Sequence, residues 1–150
     1  MIDQSFVGLE LPSYDVEVEA GRLRQFAKAI GETRPEYIDP EAARAKGWPG
    51  LPVPPTLLFG LEMELPDPWS YLRTIGVDIA NVLHGEQEFT YHEQAWAGDV
   101  LTFSASIASI DVKRGGAMEL VTKLTDVTKN GGTPVARLRM LIVVMNKEGS

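Results

Sequence analysis

The sequence predicts an α+β fold in which one antiparallel sheet wraps around a buried helix. Residues 57–65 are apolar at nearly every position, and a helix that is apolar on all sides is a buried one. After Val82 the chain consists of strand-like runs separated by turn sequences. The order is therefore strand, helix, helix, buried helix and then a series of antiparallel strands that supplies the covering sheet.

Length and composition describe an ordinary globular chain. Its 150 residues are enough for one domain, over residues 1–150, with a core of its own. The net charge of −7 argues against nucleic acid as the main partner, because phosphate binding requires a basic surface. The chain has no cysteine, no signal-peptide pattern and no apolar run long enough to cross a membrane. We therefore expect a cytoplasmic protein without a membrane partner.

Two elements are predicted in the first thirty or so residues. A strand is expected over residues 8–18, where alternate positions are apolar: Tyr14, Val16 and Val18. An amphipathic helix is expected over residues 21–30, with an apolar stripe at i, i+3, i+4 and i+7: Leu23, Phe26, Ala27 and Ile30. Gly31 is expected to close this helix, because glycine readily adopts the left-handed backbone found at helix ends.

The next two helices have boundary signals of their own. A short helix is predicted after Asp39, with Asp39 as N-cap, Pro40 at the first helical position and Gly47 past its end. Thr56 is expected to cap the buried helix, and Pro66-Asp67-Pro68 to stop it, which allows about three turns.

Two expectations concern the end of the buried helix and the segment after it. An acidic residue in so apolar a helix, such as Glu62, is expected at its exposed end. Residues 66–82 have no regular pattern and are predicted to form a long loop with a short helix, which could act as a lid.

Four strands are predicted in the second half of the chain. The first starts near Val82, and alternate residues of it share a face: Gln87, Phe89 and Tyr91. The other strands span residues 100–112, 117–128 and 135–145, with hairpin turns at 113–116 and 129–132. The apolar face of the second strand changes parity near Ile107 to Ser109, which predicts a β-bulge. In the third strand three apolar residues are in step: Met118, Leu120 and Leu124.

A sheet wrapped around a single helix is an arrangement of the hot-dog type. Such a sheet often continues across a dimer interface, and this continuation would cover an exposed edge strand. We therefore expect either a homodimer or a heterodimer with a second hot-dog subunit.

Two stretches resemble the signature of the MaoC-like (R)-specific enoyl-thioester hydratases. They are residues 26–43 and residues 89–101, while residues 53–56 and 83–87 resemble the N-terminal, dehydratase-type branch of that family. The resemblance covers essentially the whole chain. It implies a hydro-lyase that acts on an acyl thioester of coenzyme A or of an acyl carrier protein and that needs no cofactor and no metal.

The catalytic signature of that family is altered in this chain. Catalytic members read Gly-Asp-x-Asn-Pro-x-His, and their Asp and His activate the water that adds to the enoyl double bond. Here the Asp, Asn and His positions hold Glu32, Arg34 and Tyr37. Glu32 keeps a carboxylate but moves it by one methylene, and tyrosine is a weak base near neutral pH. A further altered position is Pro55, where catalytic members have a glycine whose N–H binds the thioester oxygen and proline has none.

The resemblance assigns candidate roles to eight residues. The catalytic candidates are Glu32, Tyr37 and His84, and the substrate-binding candidates are Arg34, Pro55, Thr56, Glu86 and Gln87. Each candidate also has a purely structural interpretation. Arg34 either binds a phosphate of coenzyme A or pairs with a neighbouring carboxylate, Glu32 or Glu36. Tyr37 is either a catalytic phenol or a packed aromatic residue, and His84 is either an imidazole catalyst or a hydrogen-bonded structural residue.

Three functional hypotheses follow. In the first, the chain is the acyl-binding subunit of an enoyl-thioester hydratase or 3-hydroxyacyl-thioester dehydratase, beside a hot-dog partner that carries the intact dyad. In the second, it is a self-sufficient hydratase that uses Glu32 as its base. In the third, it is a hot-dog protein that binds acyl thioesters without catalysing a reaction.

Overall fold

The computed structural model describes residues 1–146, and a five-stranded antiparallel sheet dominates it. The strands are β1 (Tyr14–Glu17), β2 (Val82–Tyr91), β3 (Val100–Lys113), β4 (Met118–Lys129) and β5 (Thr133–Met145). Their order in the sheet is β1-β3-β4-β5-β2. The three long strands therefore form a meander, and β2 lies at the edge of the sheet beside β5.

Four α-helices precede the long strands. They are α1 (Ala20–Ala29), α2 (Pro40–Ala45), α3 (Leu57–Glu62) and α4 (Ser70–Thr74). Single 3-10 turns occur at Gln4–Phe6, Pro35–Tyr37, Ile79–Asn81 and Arg114–Gly116. None of the helices within residues 1–146 is long and apolar enough to span a bilayer. The arrangement confirms the predicted α+β hot-dog fold.

Helix α3 is the predicted buried helix. Four of its six residues are buried: Leu57, Leu58, Leu61 and Glu62. It is shorter than the three turns expected, because the chain bends after Glu62 well before the prolines. Thr56 occupies the N-cap position as expected, but within the described chain its side chain makes no capping hydrogen bond. Its backbone is already helical (φ −79°, ψ −13°), and the first turn starts one step earlier with Leu57 N–H donating to the Pro54 carbonyl at 3.0 Å.

The bulge predicted in the second long strand is confirmed. The pairing of β3 with β4 shifts by one residue between Ile107 and Ser109. The extra residue keeps Ile107 and Ile110 both buried although they are three positions apart. A second shift lies between His84 and Glu86 in β2.

Strand β4 presents an unusual face to the helix. The apolar residues Met118, Leu120 and Leu124 do share a face, but it is the outer one. The inner face is formed by residues of the other parity, among them Val121, Lys123 and Thr125, and all three are buried. Four polar residues of β4 are buried on this face and require partners there: Glu119, Lys123, Thr125 and Lys129.

The first part of the chain departs from expectation in two details. The first strand covers only Tyr14–Glu17 of the predicted residues 8–18, and a 3-10 turn precedes it at Gln4–Phe6. Ile30, expected in the apolar stripe, is 58% exposed because α1 ends at Ala29 and the chain turns away. The other end signals are confirmed: Gly31 has a φ of +74°, and the Asp39 carboxylate accepts a hydrogen bond from the N–H of Glu41. The short helix expected within residues 66–82 is α4.

Candidate functional site

The altered signature lies in the turn that follows α1. Glu32 N–H donates to the carbonyl of Ala27 at 2.9 Å, which fixes the chain as it leaves the helix. The left-handed backbone of Gly31 makes this reversal possible, because residues with a Cβ rarely adopt that φ. The 3-10 turn Pro35–Tyr37 follows directly. The position of the Glu32 carboxylate is therefore set by local backbone geometry.

Arg34 holds the Glu32 carboxylate at both oxygens. The Arg34 Nε donates to Oε1 at 3.0 Å and a terminal guanidinium nitrogen donates to Oε2 at 2.7 Å, while the Arg34 backbone N–H also donates to Oε1 at 3.0 Å. These hydrogen bonds from Arg34, with its positive charge, lower the pKa of Glu32 to about 2. A carboxylate with that pKa is a weak proton acceptor near neutral pH.

Tyr37 is a packed aromatic residue in this structure. The Arg34 guanidinium carbon lies 4.5 Å from the centre of the Tyr37 ring, and the ring packs edge-on against Trp48 with centroids 5.9 Å apart. Glu36 is buried and forms its own ion pair with Lys46 at 2.5 Å. Arg34 therefore pairs with Glu32 and not with Glu36, the other carboxylate expected as a possible partner.

His84 lies in a different set of contacts. Its Nε2 is 3.1 Å from the backbone carbonyl oxygen of Glu86, so this nitrogen carries the proton and donates it. The imidazole also packs against Phe59, with ring centroids 5.3 Å apart. The carboxylate of Glu86 accepts a hydrogen bond from Arg139 at 3.0 Å. The structure thus brings His84 and Glu86 together with Arg139, and Glu32 together with Arg34 and Tyr37.

Pro55 and Thr56 are both exposed at the start of α3. Pro55 lines a pocket of about 250 Å³ whose lining also includes Tyr91, His92 and Gln94. Because proline lacks an N–H, this helix start cannot present at residue 55 the backbone donor that catalytic members of the resembled family use. The pocket lies against the edge strand β2.

Gln87 faces the inside of the sheet from the edge strand β2. Both polar atoms of its side-chain amide are shielded from solvent, yet neither has a hydrogen-bond partner within residues 1–146. Buried amides are normally hydrogen-bonded, because leaving one unpaired costs about 1–3 kcal/mol. Gln87 is thus the substrate-binding candidate with unmet hydrogen-bonding capacity.

The structure also reveals a polar cluster that the sequence did not predict. Glu62, expected at an exposed helix end, is 2% exposed and forms an ion pair with Lys123 of β4 at 2.6 Å. Thr125 donates its hydroxyl to the same Glu62 oxygen at 2.5 Å. The expectation failed because α3 is short, so that its last residue is still covered by the sheet. The only sequence signal was the mixed parity of β4, whose apolar residues fall on both faces.

Metal binding has no support in the arrangement of side chains. Among residues 1–146, no group of three or more His, Asp or Glu side chains is placed to hold a metal ion. The acidic residues described above are instead paired with arginine or lysine.

Solved structures with the same fold include several dehydratases. The C-terminally truncated HadBC (3R-hydroxyacyl-ACP dehydratase) complex from Mycobacterium tuberculosis gives a TM-score of 0.78 at 24% identity, covering 92% of this chain and 96% of that chain. The ChsH1-ChsH2 complex from the same organism gives 0.75 at 23% identity, covering 95% and 92%. The MaoC-like dehydratase from Rhodospirillum rubrum gives 0.70 at 24% identity, covering 94% and 93%. The fold is that of the MaoC-like hydratases and dehydratases.

Sequence comparison defines the family more closely. The chain belongs to the family of FAS1-like dehydratase domain regions, whose model matches residues 5–138. A UPF0336 protein from Saccharopolyspora erythraea is 35% identical over 143 residues, which cover 95% of this chain and 90% of the relative. A UPF0336 protein from Streptomyces avermitilis is 40% identical over 110 residues, covering 73% of each.

Proposed function

We propose that this chain is the acyl-binding subunit of an enoyl-thioester hydratase or 3-hydroxyacyl-thioester dehydratase. A second hot-dog subunit, carrying the intact Gly-Asp-x-Asn-Pro-x-His signature, supplies the Asp–His dyad. The observation that carries the proposal is the bidentate Arg34–Glu32 pair, which occupies the one carboxylate at the dyad position. Because its pKa is lowered to about 2, Glu32 is a weak base toward water.

The remaining altered positions also support acyl binding by this chain and catalysis by the partner subunit. Tyr37 replaces the histidine and packs between Arg34 and Trp48. Pro55 replaces the glycine that would donate to the thioester oxygen. At these positions the chain offers no effective base, no imidazole and no oxygen-binding N–H, and the proposed partner subunit supplies all three.

The edge strand β2 supports the proposed subunit partner. Nine of its ten residues pair with β5 on one side, and in the sheet order β2 is terminal. Leu83 and Tyr91 on this strand are 60% and 50% exposed. A long edge strand with exposed apolar side chains is a surface on which another sheet can continue. HadBC and ChsH1-ChsH2, which share the fold, are both complexes.

The substrate we propose is an acyl thioester of coenzyme A or of an acyl carrier protein. Gln87 lies on the inner face of β2, and its amide can both donate to and accept from a thioester group or its neighbouring amide. In this assignment Gln87 orients the acyl group, and the partner subunit performs the proton transfers.

The test is a spectrophotometric hydration assay on a panel of enoyl-coenzyme A thioesters. The chain is measured alone and after co-purification with a hot-dog chain of the same organism that carries the intact signature. We expect no turnover by the chain alone, and loss of the conjugated enoyl absorbance when the partner is present. Gln87→Ala in the complex should raise KM for the thioester.

Two results would contradict the proposal. Turnover by the chain alone that Glu32→Gln abolishes would identify a self-sufficient hydratase. Calorimetric binding of an enoyl-coenzyme A without turnover, with and without the partner, would identify a non-catalytic thioester-binding protein.

A further inference from the structure

A pocket of about 270 Å³ lies at the end of α3, between this helix, α4 and the sheet. Its rim is formed by exposed residues, among them Pro12, Asp67 and Ser70, so that it opens at the surface. Most of its wall is apolar: Leu11, Met63, Leu65, Pro68 and Ala105. A cavity of about 150 Å³ with an apolar lining is enough to bind benzene. This pocket therefore has room for a molecule somewhat larger than benzene.

The floor of the pocket is polar and almost completely buried. It is formed by Glu62, Lys123 and Tyr71, whose residues are 2%, 4% and 4% exposed. Lys123 and Thr125 both bind the Oε1 oxygen of Glu62. The other oxygen, Oε2, and the Tyr71 hydroxyl are shielded from solvent, and neither has a hydrogen-bond partner in the described part of the chain.

The two unpaired groups, Glu62 Oε2 and the Tyr71 hydroxyl, are an acceptor and a donor of hydrogen bonds. A carboxylate oxygen accepts hydrogen bonds, whereas a phenol can donate one. Burial, together with the negative charge of Glu62, raises the pKa of Tyr71, which therefore keeps its proton. A group that donates to Glu62 and accepts from Tyr71 satisfies both. An alcohol hydroxyl does this without bringing a further charge beside the Glu62–Lys123 pair.

We propose that this pocket binds a small, largely apolar molecule through a hydroxyl group, which donates a hydrogen bond to Glu62 and accepts one from Tyr71. The apolar part of the molecule contacts Met63, Leu65 and Leu11 toward the rim. The pocket is lined by residues other than Glu32, Arg34 and Tyr37, and the assignment does not depend on the function proposed above.

Tyr14 provides a built-in comparison with Tyr71. Both residues line the pocket, but the Tyr14 hydroxyl already donates to the backbone carbonyl of Glu62. Replacing Tyr14 by phenylalanine removes a hydrogen bond within the protein. Replacing Tyr71 by phenylalanine removes a hydroxyl that has no partner among residues 1–146. The two substitutions delete the same atom and are expected to have different effects.

The experiment is a titration with n-hexanol and with its methyl ether, followed by NMR of protein labelled at the methionine methyl groups. The ether keeps the oxygen as an acceptor and loses the donated proton. The Met63 methyl reports on the pocket, and Met145, which lies on β5 outside the pocket lining, serves as the internal control. We expect Met63 to shift with both ligands, with n-hexanol binding about tenfold more tightly.

The variants make the outcome decisive. Tyr71→Phe should weaken the binding of both ligands severalfold without lowering Tm, because the oxygen of the alcohol and that of the ether both accept from the Tyr71 hydroxyl, whereas Tyr14→Phe should lower Tm and keep both affinities. Equal affinity for alcohol and ether, a Met63 signal that does not move, or unchanged affinities of both ligands in Tyr71→Phe would each overturn the assignment. Because the readout uses neither a thioester nor a partner subunit, failure here is distinct from failure of the proposed function.

Discussion

Replacing Lys123 by methionine tests the buried charge pair beneath α3. Lys123 and Glu62 have side chains that are 5% and 2% exposed, and their charged atoms lie 2.6 Å apart. Methionine fills a similar volume but leaves the Glu62 carboxylate with Thr125 alone. An uncompensated buried charge of this kind costs about 3–5 kcal/mol. At about 2–4 °C per kcal/mol for a chain of this size, Tm should fall by about 6–20 °C.

The assay is chemical and thermal unfolding at one fixed protomer concentration, because an oligomer is stabilised by mass action. Arg137→Met is the matched control. Arg137 pairs with Asp126 at 2.7 Å, but both side chains are about half exposed, so its loss should cost less than about 1 kcal/mol. The double variant Glu62→Gln/Lys123→Met removes both charges and should be more stable than Lys123→Met alone. A loss in Lys123→Met no larger than in the control, or no recovery in the double variant, would refute the buried pair.

Four further predictions concern the turn after α1 and the helix that follows it. Arg34→Gln should raise the pKa of Glu32 from about 2 toward its ordinary value of 4.5. The measurement is an NMR titration that follows the side-chain carboxyl carbon of Glu32. An unchanged pKa would contradict the role of the bidentate Arg34–Glu32 pair. Because this pKa is lowered in the folded chain, the Glu32–Arg34 pair stabilises the fold above about pH 4.5, and this contribution is lost as the pH falls toward 2. The free energies of unfolding of the parent and of Arg34→Gln should therefore become equal as the pH falls through that range. Gly31→Ala should cost about 1–2 kcal/mol in denaturant unfolding, since its φ of +74° strains a residue with a Cβ, and an unchanged midpoint would argue against this backbone. Asp39→Ala should cost about 1 kcal/mol through loss of the N-cap, whereas Asp39→Asn should retain most of it.

The candidate site was only partly predictable. The altered signature could be identified from the order of residues 31–37, because a motif is a property of the sequence. Whether Arg34 pairs with Glu32 or with Glu36 could not, since both carboxylates are two residues away. The turn at Gly31 decides it by directing Glu32 toward Arg34, while α2 places Lys46 beside Glu36.

The sequence by itself determined the elements whose signals are local. The burial of α3 follows from apolar residues on every side, the bulge in β3 from the change of parity after Ile107, and the N-cap of α2 from Asp39 and Pro40. Each of these signals involves only a few neighbouring residues, and it restricts their structure without reference to the rest of the chain. The hot-dog arrangement follows because a strand meander is the element available to cover that helix.

Only the tertiary structure decided which polar residues meet in the core. Glu62 and Lys123 are 61 residues apart, and their pairing depends on where α3 ends and on which face of β4 turns inward. The apolar residues of β4 fall on both faces, so alternation alone does not choose between them. The register with β3 and β5 makes that choice for the whole strand at once, because a shift of one residue would turn Lys123 and Thr125 outward. The pocket above them, with Tyr71 beside it, exists as a consequence of that register.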